Sequence, residues 1–276
     1  MIRKLYLLLS DFSAQMKKQN ISTYAASIAF FFFLSVVPML IMICTIIPYT
    51  PLTEENLAEL VTDFLPDQAG PLAESLISEV YNKSAGILSV AILATVWSAA
   101  KGVMALMRGL NAVNGVEEQR NYFVVRAIAS FYTIVMLVIV ILSLFLMVFG
   151  DQLVTFALHR LPQLQKMVSF AMNFRFLLVW AILSVLFAAV YAYVPDRKLN
   201  FKEQIPGAVF SAVVWSVFSW FFSGYVTYGN YGIYGSLSII IIVLLWMYFC
   251  MYIILIGAYV NRYFESVNRI LVNSIR

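Results

Sequence analysis

The chain has 276 residues, of which 62% are hydrophobic and only 12% are charged, and its formal net charge is +4. Soluble domains carry about 25% charged residues, so this composition excludes an ordinary soluble globular domain. It indicates a protein that lies largely in a membrane.

Six apolar stretches occur along the chain, each near the roughly 20 residues needed to cross about 30 Å of hydrocarbon. Only a helix satisfies its own backbone hydrogen bonds in lipid, so each stretch is predicted to be a transmembrane helix. Residues 1–276 are therefore expected to form a single all-α, polytopic membrane domain. The predicted spans are Tyr24–Ile47, Gly86–Met107, Val125–Phe149, Phe176–Val194, Ile205–Val226 and Ser236–Val260.

Lysine and arginine are distributed unevenly between the connections, and the positive-inside rule then places both termini in the cytoplasm. The basic side includes Arg3, Lys4, Lys17, Lys18, Arg108, Arg120, Arg126, Arg197, Lys198, Lys202, Arg262, Arg269 and Arg276. Half of the acidic residues fall in the first connection, on the predicted external side. The basic face suits anionic lipid headgroups, and no nucleic-acid partner is expected.

Two segments outside the spans have amphipathic helical patterns. Residues 2–19 place apolar side chains on one side with positive charges around them, which predicts a helix in the cytoplasmic interface or one packed against the bundle. Residues 49–85 contain two apolar stripes separated by Pro66 and Gly70, which predicts an external helical hairpin. The acidic face of this hairpin is more typical of a solvated surface than of a site.

Lys101 is the charged residue that lies deepest inside a predicted span. An ammonium group in hydrocarbon costs about 3 kcal/mol on insertion scales, so a protein-lined or water-filled interior is its expected environment. Side chains on a helix tilt toward the amino terminus, which points Lys101 toward the bilayer centre. A polar pathway beside the second span is the functional interpretation. The structural alternative is that Lys101 is held by helix-end carbonyl groups.

Three other residues of the second span belong to the same predicted pathway. Arg108 lies seven residues after Lys101, on nearly the same face and about 10 Å along the helix. Trp97, one turn before Lys101, is placed for a cation–π contact with it, and Asn111 follows Arg108. This ladder suits a phosphate or carboxylate headgroup that trails an apolar body. The alternative for Arg108 is an ordinary anchor at the membrane interface.

Further candidates lie in the connections and in the fifth span. Arg120 belongs to the basic second connection, and Tyr225 and Tyr234 bound a tyrosine- and glycine-rich segment that lines an outer mouth or forms an aromatic belt. Small residues on one face of the fifth span predict close helix packing, within one chain or in a homo-oligomer. His159 is the single histidine, so neither a metal nor another cofactor is expected.

A set of short motifs occurs in one order along nearly the whole chain: TYAASIAFFFFLSVVP (Thr23–Pro38), WSAAKGVMALMRGLN (Trp97–Asn111) followed by Glu117, Glu118 and Arg120, YVPDRK (Tyr193–Lys198), IPGA (Ile205–Ala208), YGSL (Tyr234–Leu237) and LLWMY…LIGAYVN (Leu244–Asn261). In this order they resemble the YihY/BrkB family, some of whose members were labelled ribonuclease BN. The family more often has Glu after the last GA, where this chain has Tyr259.

The resemblance implies a six-helix protein of the bacterial inner membrane. The family has no settled biochemical activity: some members were labelled ribonuclease BN, and others were linked to virulence, serum resistance or lipid movement across the inner membrane. Metal-dependent phosphodiester cleavage needs clustered carboxylates or histidines near the RNA, which this sequence does not offer on its basic side. The expected function is a non-enzymatic transporter or flippase-like protein for an anionic amphipathic substrate such as a membrane lipid. The alternatives are an envelope scaffold that binds through the acidic hairpin and, remotely, a membrane-bound ribonuclease.

Overall fold

A computed structural model describes residues 16, 19–46, 85–160, 175–197, 199–228 and 236–275. These residues form six α-helices and no β-strand: α1 (Ile21–Ile46), α2 (Ala85–Asn114), α3 (Tyr122–Arg160), α4 (Arg175–Tyr193), α5 (Phe201–Tyr228) and α6 (Ser236–Ile275). The all-α prediction is confirmed for this part of the chain, because each predicted apolar stretch coincides largely with one helix. The interfacial helix predicted at 2–19 and the hairpin predicted at 49–85 lie almost entirely outside the described residues.

Four of the described helices are long and apolar enough to cross a membrane, within Ile21–Met39, Tyr122–Ser143, Phe201–Val226 and Ile240–Glu265. A shorter apolar helix covers Leu177–Tyr193. α2 is the least apolar of the described helices, because it contains Lys101, Arg108 and many alanine and glycine residues. The helices support a multi-pass location in a membrane.

Local hydrogen bonds set the connection between α2 and α3. Gly115 has a φ of 64°, a left-handed conformation that glycine adopts without strain. The amide of Val116 then donates to the carbonyl of Asn111 at 2.9 Å, which completes a Schellman motif at the end of α2. Asn121 caps the start of α3, because its side-chain oxygen accepts a hydrogen bond from the amide of Val124 at 2.9 Å. The chain thereby reverses direction within a few residues.

The helices pack in two groups that α6 joins. α1 packs along α2, and α3 packs on α2, whereas α4 packs on α5. α6 contacts α1, α2 and α5. The point where α1, α2 and α6 meet is crowded, because Gly109 lies between Tyr24 and Leu255. Fully buried core residues surround this point, including Ile21, Ile28, Met107, Leu110 and Leu255.

Two glycines allow the backbones of α5 and α6 to touch. A Cβ atom on Gly207 would collide with the carbonyl oxygen of Gly257. Small residues at helix crossings let membrane helices approach closely, which is the packing that the sequence predicts for the fifth span. Ala208 and Ala212, on the predicted face, are fully buried, so this part of the face is used within one chain.

Buried polar side chains flank this glycine crossing. The hydroxyl of Tyr191 donates to the carbonyl of Ile254 at 2.7 Å and lies 2.7 Å from the hydroxyl of Ser211. Nearby, the Asn261 side chain accepts a hydrogen bond from the amide of Gly207 at 2.6 Å and donates to Gln204 at 3.0 Å. These bonds join α4, α5 and α6 where hydrocarbon offers no alternative partner.

We expect Gly207→Ala to destabilise the protein by about 1–3 kcal/mol, the usual cost of overpacking a tight core. The added methyl group collides with main chain, which cannot rotate away as a side chain can. Gly224→Ala on the same helix is the matched control, since nothing lies within 4 Å of its added Cβ. Thermal denaturation of the detergent-solubilised variants measures the difference. Equal midpoints for the two variants would contradict the close crossing.

Candidate functional site

A cavity of about 310 Å³ lies between α1, α2 and α3, beside the end of the bundle where α1 and α3 begin and α2 ends. It is open on one side and brings together Lys101 and Arg108, as their predicted spacing requires. It is lined by Thr23, Tyr24, Ser27, Phe31, Lys101, Met104, Ala105, Arg108, Tyr122 and Arg126. We refer to this set as the basic cavity.

The helical repeat explains why α2 contributes one continuous wall. Lys101, Met104, Ala105 and Arg108 occupy positions i, i+3, i+4 and i+7, which share one face of a helix. Met104 and Ala105 fill the space between the two cations with apolar surface. The α2 wall therefore carries a charge at each end and a hydrophobic centre.

Lys101 and Arg108 are both exposed to the open side of the basic cavity. Within the described residues, neither side chain forms a hydrogen bond or an ion pair. Carboxylates do occur at this end of the bundle, but those with ion pairs bind other arginines. In the part of the chain that the structure describes, no side chain neutralises either cation.

Arg126 is the third cation of the basic cavity, and it is held by α2. Its guanidinium lies 4.3 Å from the centroid of the Trp97 ring, and its Nη2 donates to the Trp97 carbonyl at 2.7 Å. Its Nη1 lies 3.5 Å from the sulfur of Met104. Only 9% of the residue is exposed. The structure therefore places Arg126, rather than the predicted Lys101, over the Trp97 ring.

The role of Arg126 is not predicted from the sequence, in which Arg126 contributes only to the uneven distribution of lysine and arginine between the connections. One signal was present, since Arg126 is the second residue of the predicted third span and a long apolar run follows it. Its partner, Trp97, comes from a different helix, and the sequence alone does not pair them. Trp97 itself does not line the cavity, and 64% of it is exposed on the outside of the bundle.

Asn111 and Arg120 belong to a second arrangement, which we call the loop clamp: Asn111, Glu118, Arg120 and Asp196. Asn111 donates to the Glu118 carboxylate at 2.9 Å and accepts from the Asp196 amide at 2.9 Å. The Arg120 guanidinium Nε lies 2.6 Å from Glu118 Oε1 and 2.9 Å from Asp196 Oδ1. The loop clamp fastens the α2–α3 connection to the α4–α5 connection.

The Arg120 guanidinium controls the ionisation of its partner in the loop clamp. The side-chain hydrogen bond from Arg120 holds the pKa of Glu118 below its ordinary value of 4.5, against the opposing effect of partial burial. The same hydrogen bond raises the pKa of Arg120. Asn111 and Arg120 are therefore committed to fixing the connections, and neither reaches the basic cavity.

The two predicted tyrosines of the pathway lie away from the basic cavity. Tyr225 is an exposed residue near the end of α5, whose first residue, Phe201, lies at the loop-clamp end of the bundle. The α5 helix includes Tyr225, in agreement with the predicted fifth span, Ile205–Val226. Tyr234 lies outside the described residues. The structure thus brings Lys101 and Arg108 together and separates them from Asn111, Arg120 and Tyr225.

The groups that line the basic cavity are suited to an anion. Lysine and arginine are hydrogen-bond donors only, and the hydroxyls of Thr23, Ser27, Tyr24 and Tyr122 can also donate. No carboxylate or histidine is among the lining residues. In the described part of the chain, no group of three or more His, Cys, Asp or Glu residues is placed to hold a metal ion.

The family model for Virulence factor BrkB matches residues 12–271, which is most of the chain. The chain belongs to the BrkB family. The matched range includes every lining residue of the basic cavity and all four residues of the loop clamp.

Relatives with curated names cover this BrkB-family chain nearly end to end. "Putative ribonuclease-like protein YfkH" of Bacillus subtilis is 34% identical over 240 residues, which are 86% of this chain and 87% of that protein. A "UPF0761 membrane protein" of Mannheimia succiniciproducens is 24% identical and covers 92% and 88% of the two chains. Another from Vibrio vulnificus is 27% identical, with 90% and 79% covered. No solved structure matches.

We expect Glu118→Gln to lower the thermal midpoint at neutral pH and to flatten its fall in acid. Because the pKa of Glu118 is lowered by folding, the ionised carboxylate stabilises the folded state above pH 4.5, and this contribution is lost as the pH falls below that value. Glu117→Gln is the control, since Glu117 is exposed and has no ion pair among the described residues. A pH profile of the Glu118→Gln variant identical to that of the unaltered protein would contradict the clamp.

Proposed function

We propose that this BrkB-family protein is a transporter or flippase-like protein of the bacterial inner membrane, and that its substrate is an anionic amphipathic molecule such as a lipid or lipid-linked precursor. The observation that carries this proposal is the pair of cations Lys101 and Arg108. They have no hydrogen-bond or ion-pair partner among the described residues, and the described lining of their open cavity contains no carboxylate. A membrane protein that exposes such a pair to hydrocarbon or headgroups gains stability when an anion neutralises it.

The depths of the two cations suit a headgroup that moves along α2. Arg108 lies six residues before the end of α2, or about 9 Å along the axis, and Lys101 lies about 20 Å from it. The depth of Arg108 is comparable to the thickness of the headgroup region, whereas the depth of Lys101 lies within the hydrocarbon. One cation would receive the headgroup near the interface, and the other would hold it at greater depth.

The surroundings of the basic cavity suit the apolar part of such a substrate. Phe30 and Phe123, each next in sequence to a lining residue, are exposed on the outside of the bundle. Trp97, which supports Arg126, is also exposed there. In a membrane these aromatic surfaces face lipid chains, so a bound headgroup would remain attached to chains outside the cavity.

The proposed topology has six spans with both termini in the cytoplasm, as the distribution of lysine and arginine favours. In that topology α2 is the second span, and its lower apolarity follows from the face that it presents to the basic cavity. The cavity would then open toward the inner leaflet, where anionic lipids attract basic residues. Substrate would enter from that leaflet.

The proposed transport breaks and forms no covalent bond in the substrate. The name of the Bacillus subtilis relative contains "ribonuclease-like", but the basic cavity presents cations and hydroxyls where metal-dependent phosphodiester cleavage uses carboxylates or histidines. The same cations bind a phosphate without activating a nucleophile. An envelope scaffold would depend on residues 49–85, which lie outside the described residues except for Ala85.

We expect Lys101→Ala to slow the exchange of anionic lipids between leaflets by about tenfold or more, since one charge-assisted hydrogen bond is lost. The measurement is the accessibility of fluorescent headgroups in vesicles that contain the purified protein. Lys101→Arg should retain most of the activity. Lys202→Ala removes an exposed cation outside the cavity and is the matched control.

Identical exchange in the unaltered protein, in Lys101→Ala and in empty vesicles would overturn the proposed movement of lipids. Thermal midpoints of the variants distinguish loss of function from loss of folding. Because Lys101 has no partner among the described residues, its replacement should leave the midpoint unchanged.

A further inference from the structure

The size of the basic cavity limits which part of an amphipathic molecule it holds. Its volume of about 310 Å³ is at the lower end of the range for small-molecule sites, about 300–1,000 Å³. Part of its wall is apolar, from Phe31, Met104 and Ala105. A phosphate with a short glycerol or alcohol stem fits this space, whereas a bulky glycan headgroup does not. The chains must lie outside, along the exposed helix surface.

The charges of the basic cavity distinguish between headgroups of different ionisation. Lys101 and Arg108 present two positive charges without partners in the described part of the chain. Glu118 and Asp196, the acidic residues of the loop clamp, are occupied by Arg120. A zwitterionic headgroup would bring an ammonium group that finds no carboxylate in the cavity and is repelled by both cations.

Lys101 and Arg108 both add positive potential to the basic cavity, although seven residues separate them. The spacing is about 10 Å along α2, and the Arg108 side chain tilts toward the amino terminus, which is toward Lys101. The facing wall adds the hydroxyls of Thr23 and Ser27 in the first two turns of α1. The amino-terminal ends of α1 and α3 both lie at this cavity, and each contributes the positive end of a helix dipole.

We infer that the ligand of the basic cavity is the phosphomonoester headgroup of a lipid, in preference to a phosphodiester or zwitterionic headgroup. This inference rests on the proposed function and names the substrate class of the same site. A phosphomonoester carries about −1.5 to −2 charges at neutral pH, whereas a phosphodiester carries one. The higher charge matches Lys101 and Arg108, the two cavity cations without a hydrogen-bond or ion-pair partner among the described residues. The hydroxyl donors suit the additional phosphate oxygen.

The second ionisation of the phosphomonoester gives the preference a pH dependence. It has a pKa of about 6, so the headgroup approaches a single charge in mild acid. The ionisable groups that face the cavity are Tyr24 of α1, Lys101 and Arg108 of α2, and Tyr122 and Arg126 of α3. Among the described residues that line it, none is a histidine or a carboxylate. A change in preference near this pH therefore reports on the ligand.

The test is lipid binding to the full chain in nanodiscs of phosphatidylcholine that contain a minor fraction of phosphatidic acid or phosphatidylglycerol. Retained lipid is identified by native mass spectrometry. We expect phosphatidic acid to bind about tenfold more tightly than phosphatidylglycerol at a pH of about 7.5, and this preference to shrink at a pH of about 5. Glycerol 3-phosphate, which has the same headgroup chemistry without chains, is added as a soluble competitor.

Variants show whether the preference arises in the basic cavity. Arg108→Gln should abolish the preference for phosphatidic acid over phosphatidylglycerol, and Arg108→Lys should restore this preference. Lys202→Gln should change nothing, since Lys202 is exposed outside the cavity. Equal binding of the two lipids, tighter binding of phosphatidylcholine, or a preference that survives in Arg108→Gln would overturn the inference. Full competition by glycerol 3-phosphate at lipid-equivalent concentration would overturn the lipid source in favour of a soluble phosphate ester.

The proposed transport and the proposed phosphomonoester ligand can be contradicted independently of each other. Lys101-dependent exchange of lipids without any preference for phosphatidic acid would retain the proposed function and reject the phosphomonoester. Selective binding of phosphatidic acid in nanodiscs without exchange in vesicles would reject transport and retain the ligand assignment.

Discussion

Hydrocarbon offers no hydrogen-bond partner, so a polar group inside a membrane bundle must find its partner within the protein. Tyr191 meets this requirement through a carbonyl of α6, and Asn261 through the α5 backbone. Arg126 does so through the ring and the carbonyl of Trp97. Lys101 and Arg108 are different, since neither forms a hydrogen bond or an ion pair within the described residues. The same constraint that organises the bundle therefore singles out these two cations.

Motifs that lie far apart in the sequence meet in pairs in the structure. IPGA contributes Gly207 and LIGAYVN contributes Gly257, where α5 and α6 touch. Asp196 of YVPDRK meets Asn111, the last residue of WSAAKGVMALMRGLN, in the loop clamp. The first motif and the second face each other across the basic cavity. These motifs thus contain residues that hold helices together or line the candidate site.

The helices and the shared face of Lys101 and Arg108 were predictable because both depend on local periodicity. Apolar length identifies a helix, and an interval of seven residues returns to the same side of it. It was not predictable that Lys101 and Arg108 line the cavity while Asn111 belongs to the loop clamp. Asn111 follows Arg108 by three residues, yet its partner Asp196 comes from the connection between α4 and α5. Contacts between distant segments depend on packing that no local pattern records.

The crowded point where Gly109 lies between Tyr24 of the first helix and Leu255 of the last has a consequence for biosynthesis. Membrane helices are inserted in the order in which the ribosome produces them, starting from the amino terminus. α1 therefore lies in the bilayer with its inner surface incompletely covered until α6 has been translated. Assembly of this bundle is completed only after α6 has been translated, and a chain that terminates before α6 leaves both earlier helices without their common partner.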